Sequence, residues 1–211
     1  MKESEENVNR NQQFIAESIG QSIEVKEKIL ADKSFLALVG MVAGVTIKAL
    51  RLGHKVLLAG NGGSAADAQH IAGELVNRFR FDRPALPAIA LSTDTSVLTC
   101  IANDSSFENV FARQVEALGA RGDVFIGIST SGNSPNILNA FKVCRKKKIV
   151  TIGFTGRNGT AMEKKCDYCI AVPSADTPRI QESHIMIAHI LCDIIEKEMF
   201  GMLERPKCSE R

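Results

Sequence analysis

The sequence predicts an α/β fold: three layers built on an open parallel sheet of five strands, flanked by helices, with further helices ahead of it. Two observations carry this. From Lys55 onward, short β-prone runs at 55–59, 88–91, 124–129, 149–154 and 168–172 alternate with segments long enough for a helix. Strands separated in this way are joined by right-handed crossovers, and these give a parallel sheet covered on both faces. The second observation is composition. At 211 residues, 45% apolar and 24% charged, the chain can bury one sizeable core and is neither disordered nor disulfide-dense.

Taken in order, the first fifty residues read as helix. Ile15, Ile19, Ile23 and Leu30 recur at helical intervals, and after Asp32-Lys33-Ser34 so do Leu38, Val42, Val45 and Ala49. The longest uncharged apolar stretch, 35–47, is shorter than the roughly 18 residues a membrane span needs and lies too far in for a signal sequence. A cytoplasmic protein that does not engage membranes is therefore expected. The α/β unit occupies 55–200 and closes on a long helix from about 177 to 200. Residues 1–54 form helices that pack on the core and on other subunits, because their apolar faces exceed what a five-stranded sheet covers. The polar tail, 201–211, is expected to fray.

Charge and aromatic content narrow the ligand. The formal net charge is +2, so nothing favours nucleic acid, and the run from Arg145 to Lys148 reads as cations suited to the last turn of a helix. With ten Phe, one Tyr and no Trp, stacking platforms are scarce, and a polar ligand must be held by hydrogen bonds. The six cysteines are too scattered for a disulfide framework. Cys166 and Cys169 form one C-x-x-C, but at the edge of a short apolar run and without a helix N-terminus they are expected to be bystanders.

In open parallel sheets, ligands bind beyond the carboxyl ends of the strands. Two loops there are unusual. Gly60-Asn61-Gly62-Gly63-Ser64 leaves a strand and enters a helix, allowing a tight turn and close approach of backbone N–H groups to a ligand. With Ala65 it fits G-x-G-x-x-A, yet Asp94 comes too late to hold a ribose, so no nucleotide cofactor is expected. The other loop, Ser129-Thr130-Ser131-Gly132-Asn133-Ser134-Pro135, sets four hydroxyls within six residues at a helix start. Such a loop can wrap a phosphate without a lysine. Neither loop has a Lys after its last Gly, which disfavours nucleotide hydrolysis.

His70 and Glu74, four apart, project from one face of the helix leaving the first loop. The closing helix offers Gln181, Glu182, His184 and His189. At about 100° per residue, Gln181 lies about 80° from His189, Glu182 nearly in line and His184 about 140° away, so spacing alone does not choose between Gln181 and Glu182. A carboxylate at carbon and an imidazole at the oxygens can move a carbonyl between neighbouring carbons through an enediol, and a metal can polarise that carbonyl. A surface His–Glu pair and a buried structural His are the plainer readings of the same residues.

Four segments, "LLAGNGGSAADAQHIAGEL" (57–75), "IANDSSFENVFARQVEALGARGDV" (101–124), "GISTSGNSPNIL" (127–138) and "TPRIQESHIMIAHILCDIIE" (177–196), together resemble the sugar isomerase (SIS) domain family. The resemblance implies a flavodoxin-like sheet and an aldose–ketose isomerase. The expected reaction turns sedoheptulose 7-phosphate into D-glycero-D-manno-heptose 7-phosphate, the first step toward ADP-heptose and cell-surface glycans. It also implies a cytoplasmic homotetramer with sites at subunit interfaces. By motif, Glu74 matches the catalytic base and His189 the second proton-transfer residue. Asn61, Gly62, Gly63, Ser64, Asn103, Asp104, Ser129, Thr130, Ser131, Ser134 and Gln181 match substrate contacts, together with Glu74. His70, Glu74, Gln181 and His189 match the ligands of one zinc per subunit in members that bind it, so the resemblance takes Gln181 over Glu182. Pro178 and Ala65 stand where some members carry Asp and His. Two alternatives stay open: a non-catalytic SIS protein that binds the bacterial replication initiator, and an isomerase for a shorter sugar phosphate.

Overall fold

A computed structural model describes residues 2–157 and 160–201; most of the tail expected to fray lies outside them. Two helices lead, α1 (Lys2–Ala31) and α2 (Lys33–Arg51). Asp32 separates them and caps α2, its carboxylate accepting from the Ser34 and Phe35 N–H groups. Five strands follow: β1 (Val56–Gly60), β2 (Ala88–Ala90), β3 (Val124–Ile128), β4 (Val150–Gly156) and β5 (Tyr168–Val172). The connecting helices are α3 (Gly63–Val76), α4 (Thr95–Asp104), α5 (Val110–Leu118), α6 (Pro135–Lys147) and the one-turn α7 (Thr160–Glu163). A 3₁₀ turn, Phe107–Asn109, joins α4 to α5, and α8 (Thr177–Phe200) closes the chain.

Every pair in the sheet is parallel and the order is β2-β1-β3-β4-β5. The chain steps from β1 outward to β2 and from β3 the opposite way to β4. The loops after β1 and β3 therefore diverge and open a crevice between them. β1 and β3 are buried along their whole length, as strands covered on both faces must be.

Alternation along β1 divides the core. Val56 and Leu58 face a layer built from α1, α2, α3 and α8, while Leu57 and Ala59 face Phe111, Phe141 and Ile137 on the side of α5 and α6. Helix α2 has 19 residues, with length and apolarity that would suffice to cross a bilayer, but its buried face (Phe35, Val39, Val42, Ala43, Ile47, Leu50) belongs to the first of these layers. In α1, Val25 and Ile29 turn inward, whereas Ile15, Ile19, Ile23 and Leu30 are 55%, 56%, 51% and 72% exposed. The cationic run ends α6 as expected, and Lys148 in the left-handed conformation stops the helix.

Candidate active site

The glycine loop is shaped by what it must avoid. A Cβ on Gly60 would collide with the Ser64 backbone, because the first turn of α3 folds back over the end of β1. Gly62, the residue before α3, sits at φ +54°, a conformation that favours glycine. A Cβ on Gly63 would lie 2.5 Å from Gln181 Nε2, so the start of α3 and the first turns of α8 meet here without a side chain between them. Ser64 is buried under the turn.

The serine loop forms a small hydroxyl cluster. Ser129 Oγ lies 2.8 Å from Ser134 Oγ and 3.3 Å from Ser131 Oγ. Gly132 N–H donates to the Ser129 carbonyl and closes the turn, and the Thr130 carbonyl accepts from Gly156 N–H at the end of β4. Ser134 precedes α6 but its hydroxyl makes no capping bond, so it is turned to its serine neighbours and leaves the N–H groups of the first turn free of it. Three hydroxyls and a helix N-terminus at one point suit an anion.

Asn61 and Asn136 bridge the two loops through a reciprocal amide pair. Asn61 Nδ2 donates to Asn136 Oδ1 at 3.0 Å and Asn136 Nδ2 to Asn61 Oδ1 at 2.8 Å. Asn136 is 2% exposed and was not singled out from the sequence; its place one residue after Pro135 in the first turn of α6 is the only local hint of it.

Along α3 and α8, His70, Glu74 and His189 come together. His70 Nε2 lies 2.8 Å from His189 Nε2 and 3.3 Å from Glu74 Oε1. At that distance one imidazole nitrogen can donate to the other, or both can turn their lone pairs to a metal. One ligand atom from each of the three falls within 4.8 Å of the others, and two His with one carboxylate is a donor set that suits a catalytic zinc with an open position. The ring of Phe79 tilts against His189, with ring centroids 5.5 Å apart, and shields one side of it.

The other residues on α8 diverge. Gln181 lies two turns earlier, against Gly63, about 12 Å of helix rise from His189. Glu182 faces α1, accepting from Ser22 Oγ at 2.6 Å and pairing with Arg179 at 2.8 Å. Among the two residues that spacing could not separate, Glu182 is thus occupied elsewhere. His184 is buried beneath β4, its Nε2–H donating to the Thr155 carbonyl at 3.1 Å. Burial pushes its pKa down to about 4, opposed by that bond. Asn103 and Asp104 end α4, exposed, the amide donating to the neighbouring carboxylate at 2.8 Å; among the described residues no hydrogen bond joins either to the two loops. Pro178 occupies the first turn of α8, a position that tolerates its missing N–H.

Two further features escaped the sequence. Asp67, one turn before His70, has a buried Oδ2 without a partner among the described residues, and burial lifts its carboxyl above the usual range while His70 draws it back. Arg83 and Glu196, both with side chains 1% exposed, pair at 3.0 Å. Arg83 also donates to the carbonyls of Glu74 and Leu75, both at 2.7 Å, and Glu196 accepts from the Phe79 and Arg80 N–H groups at 2.8 and 2.6 Å. The pair therefore satisfies the C-terminal carbonyls of α3 and holds the carbonyl of Glu74 itself against α8, which carries His189.

A family model described as the SIS domain matches residues 36–156. Phosphoheptose isomerase 2 of Campylobacter jejuni is 60% identical over 188 residues, covering 89% of this chain and 94% of that protein. The phosphoheptose isomerase of Burkholderia pseudomallei is 55% identical over 193 residues, 92% of this chain and 98% of its own. Among solved structures, the phosphoheptose isomerase of Francisella tularensis superposes with a TM-score of 0.85 at 36% identity, covering 89% of this chain and 98% of that one. That of Neisseria gonorrhoeae gives 0.82 at 41% identity, covering 88% and 98%.

Proposed function

The chain belongs to the SIS domain family, among its phosphoheptose isomerases, and on that premise we propose that it interconverts sedoheptulose 7-phosphate and D-glycero-D-manno-heptose 7-phosphate through an enediol. The observation that carries the reading is the convergence of His70, Glu74 and His189 from two helices onto one point. From the ketose, the Glu74 carboxylate takes a proton from C1, the C2 carbonyl becomes a hydroxyl and the enediol forms. Glu74 returns the proton to C2 while His189 moves a proton between the two oxygens, leaving an aldehyde at C1. His70, within hydrogen-bonding reach of His189 and beside Glu74, orients both.

The phosphate is held by the hydroxyls of Ser129, Ser131 and Ser134 with the N-terminus of α6, and Thr130 lines the same loop. Asn61, Gly62, Gly63, Ser64 and Gln181 line the other side, where α3 begins, and Asn103 and Asp104 contact the sugar. Gly63 and His70 are seven residues apart on α3, a rise of about 10 Å, so the phosphate and the reacting carbons are held at opposite ends of an extended substrate.

His70, Glu74 and His189 fit a zinc ion; Gln181, the fourth ligand by family pattern, stands against Gly63 and would have to turn toward the ion to join them. When bound, zinc supplies polarisation of the carbonyl. The homotetramer accounts for the exposed apolar face of α1, and the protein acts in the cytoplasm as the first enzyme toward ADP-heptose. Residues 55–200 are the catalytic unit and 1–54 the assembly helices.

Purified protein should convert sedoheptulose 7-phosphate, and shorter ketose phosphates slowly or not at all. Zinc added after chelation should restore whatever activity the chelator removes. Turnover of a pentulose or hexulose phosphate in preference would replace the substrate assignment, and no turnover of any would return the chain to the partner-binding reading.

A further inference from the structure

Far from the site just described, the strand pair β4–β5 brings two cysteines to one spot. In the parallel register, Cys169 stands directly opposite Gly153. Residues paired in a ladder present their side chains to the same face, so Cys169 points to the face on which Gly153 leaves a gap. That gap is filled from α7 and the turn after it: a Cβ on Gly153 would lie 2.6 Å from Met162 Sδ and 3.1 Å from Cys166 Sγ. The Cys166 and Cys169 side chains therefore share one hollow against the face of Gly153. Both residues remain partly accessible, whereas Cys144 and Cys192 are sealed in the core, where burial pushes each thiol up to about 12. Spacing alone made this C-x-x-C a bystander; the missing side chain at Gly153 is what brings the sulfurs together.

We propose that Cys166 and Cys169 form a redox-active dithiol that a peroxide converts reversibly into an intramolecular disulfide. The roles are unequal. Cys169 beside it, with backbone groups at Gly153 and Cys166, draws the Cys166 thiol below the ordinary range against the effect of burial. Cys169 moves the other way, raised by Cys166 beside it and by burial. Cys166 is thus the attacking thiolate and Cys169 the resolving group. The Cys166 thiolate attacks one oxygen of the peroxide, the O–O bond breaks, and hydroxide leaves to be protonated as water; Cys166 is now a sulfenic acid. The Cys169 sulfur then attacks the Cys166 sulfur, the S–O bond breaks, and the departing hydroxide takes up the Cys169 proton as a second water. The pair loses two electrons and the peroxide gains them. Thiols restore the dithiol by exchange.

The test uses the full-length protein, reduced, folded and exposed to hydrogen peroxide, then unfolded in N-ethylmaleimide and digested with trypsin. Cleavage after Lys165 and Arg179 puts both cysteines on one peptide. The expected product is that peptide unalkylated and lighter by the mass of two hydrogens, formed ahead of any change at exposed Cys100 and reversed by dithiothreitol. In Cys169→Ser, Cys166 should stop at the sulfenic acid and be trapped by dimedone. In Cys166→Ser, Cys169 should stay fully alkylatable. Oxidation confined to Cys100, or wild-type Cys166 carried to the sulfinic acid with Cys169 still alkylated, would overturn the proposal. The readout does not depend on isomerase activity, so it stands or falls apart from the substrate assignment.

Discussion

Five residues apart on α8, His184 and His189 show how one helix turns the same side chain to two uses. His189 reaches the half-open cluster with His70 and Glu74, while His184 is 1% exposed and kept neutral under β4. The unfolded chain protonates this imidazole near the ordinary value of about 6.5, and the folded chain resists until about 4. Stability from this group is therefore complete above the unfolded value and is lost as pH falls toward the folded one, a loss of roughly 3 kcal/mol. Urea titrations at pH 7 and pH 4 should show that fall in the wild type and a smaller one in His184→Asn; equal falls would mean that His184 does not titrate as described. The proton-transfer role proposed for Glu74 needs the opposite environment, open to substrate, and its side chain is 23% exposed.

At the scale of elements, α3 and α8 must keep a fixed relation for His70, Glu74 and His189 to meet, and Arg83 with Glu196 supplies it. Removing one partner leaves the other buried without compensation, so Glu196→Gln should lower unfolding stability by about 3 kcal/mol, read as a shift in the urea midpoint. A shift within experimental error would show the pair to be replaceable. The elements themselves were legible: the strand expected at 55–59 runs Val56–Gly60, and the closing helix spans Thr177–Phe200 as expected. Apolar periodicity and glycine loops are local signals, and a local pattern suffices to find them. Arg83 and Glu196 are 113 residues apart and Asn61 and Asn136 are 75 apart, so no local pattern links them. Gln181 and Glu182 were inseparable for a related reason: helical angle says which way a residue points, and only the packing of α1 on α8 says what it meets.

For the molecule as a whole, the apolar stripe of α1 poses the largest energetic problem. Periodicity found Ile15, Ile19, Ile23 and Leu30, but these face outward, while Ser22, Val25 and Ile29 pack inward. A chain sequence does not say whether an apolar face meets its own core or another copy. Such an exposed stripe is destabilising in water and stabilising when a second copy covers it. Sedimentation should give the mass of four chains for the wild type and smaller species for Ile19→Lys combined with Ile23→Lys; an unchanged mass in the double variant would remove α1 from the interface. The fold and its two loops converge on the proposed chemical step, and Glu74 is the residue on which that step depends. The most direct test is turnover of sedoheptulose 7-phosphate by Glu74→Gln, with circular dichroism and sedimentation checking that fold and assembly persist. An amide cannot accept the carbon-bound proton, so turnover should fall by about a hundredfold or more. Turnover within a few fold of wild type would contradict the account.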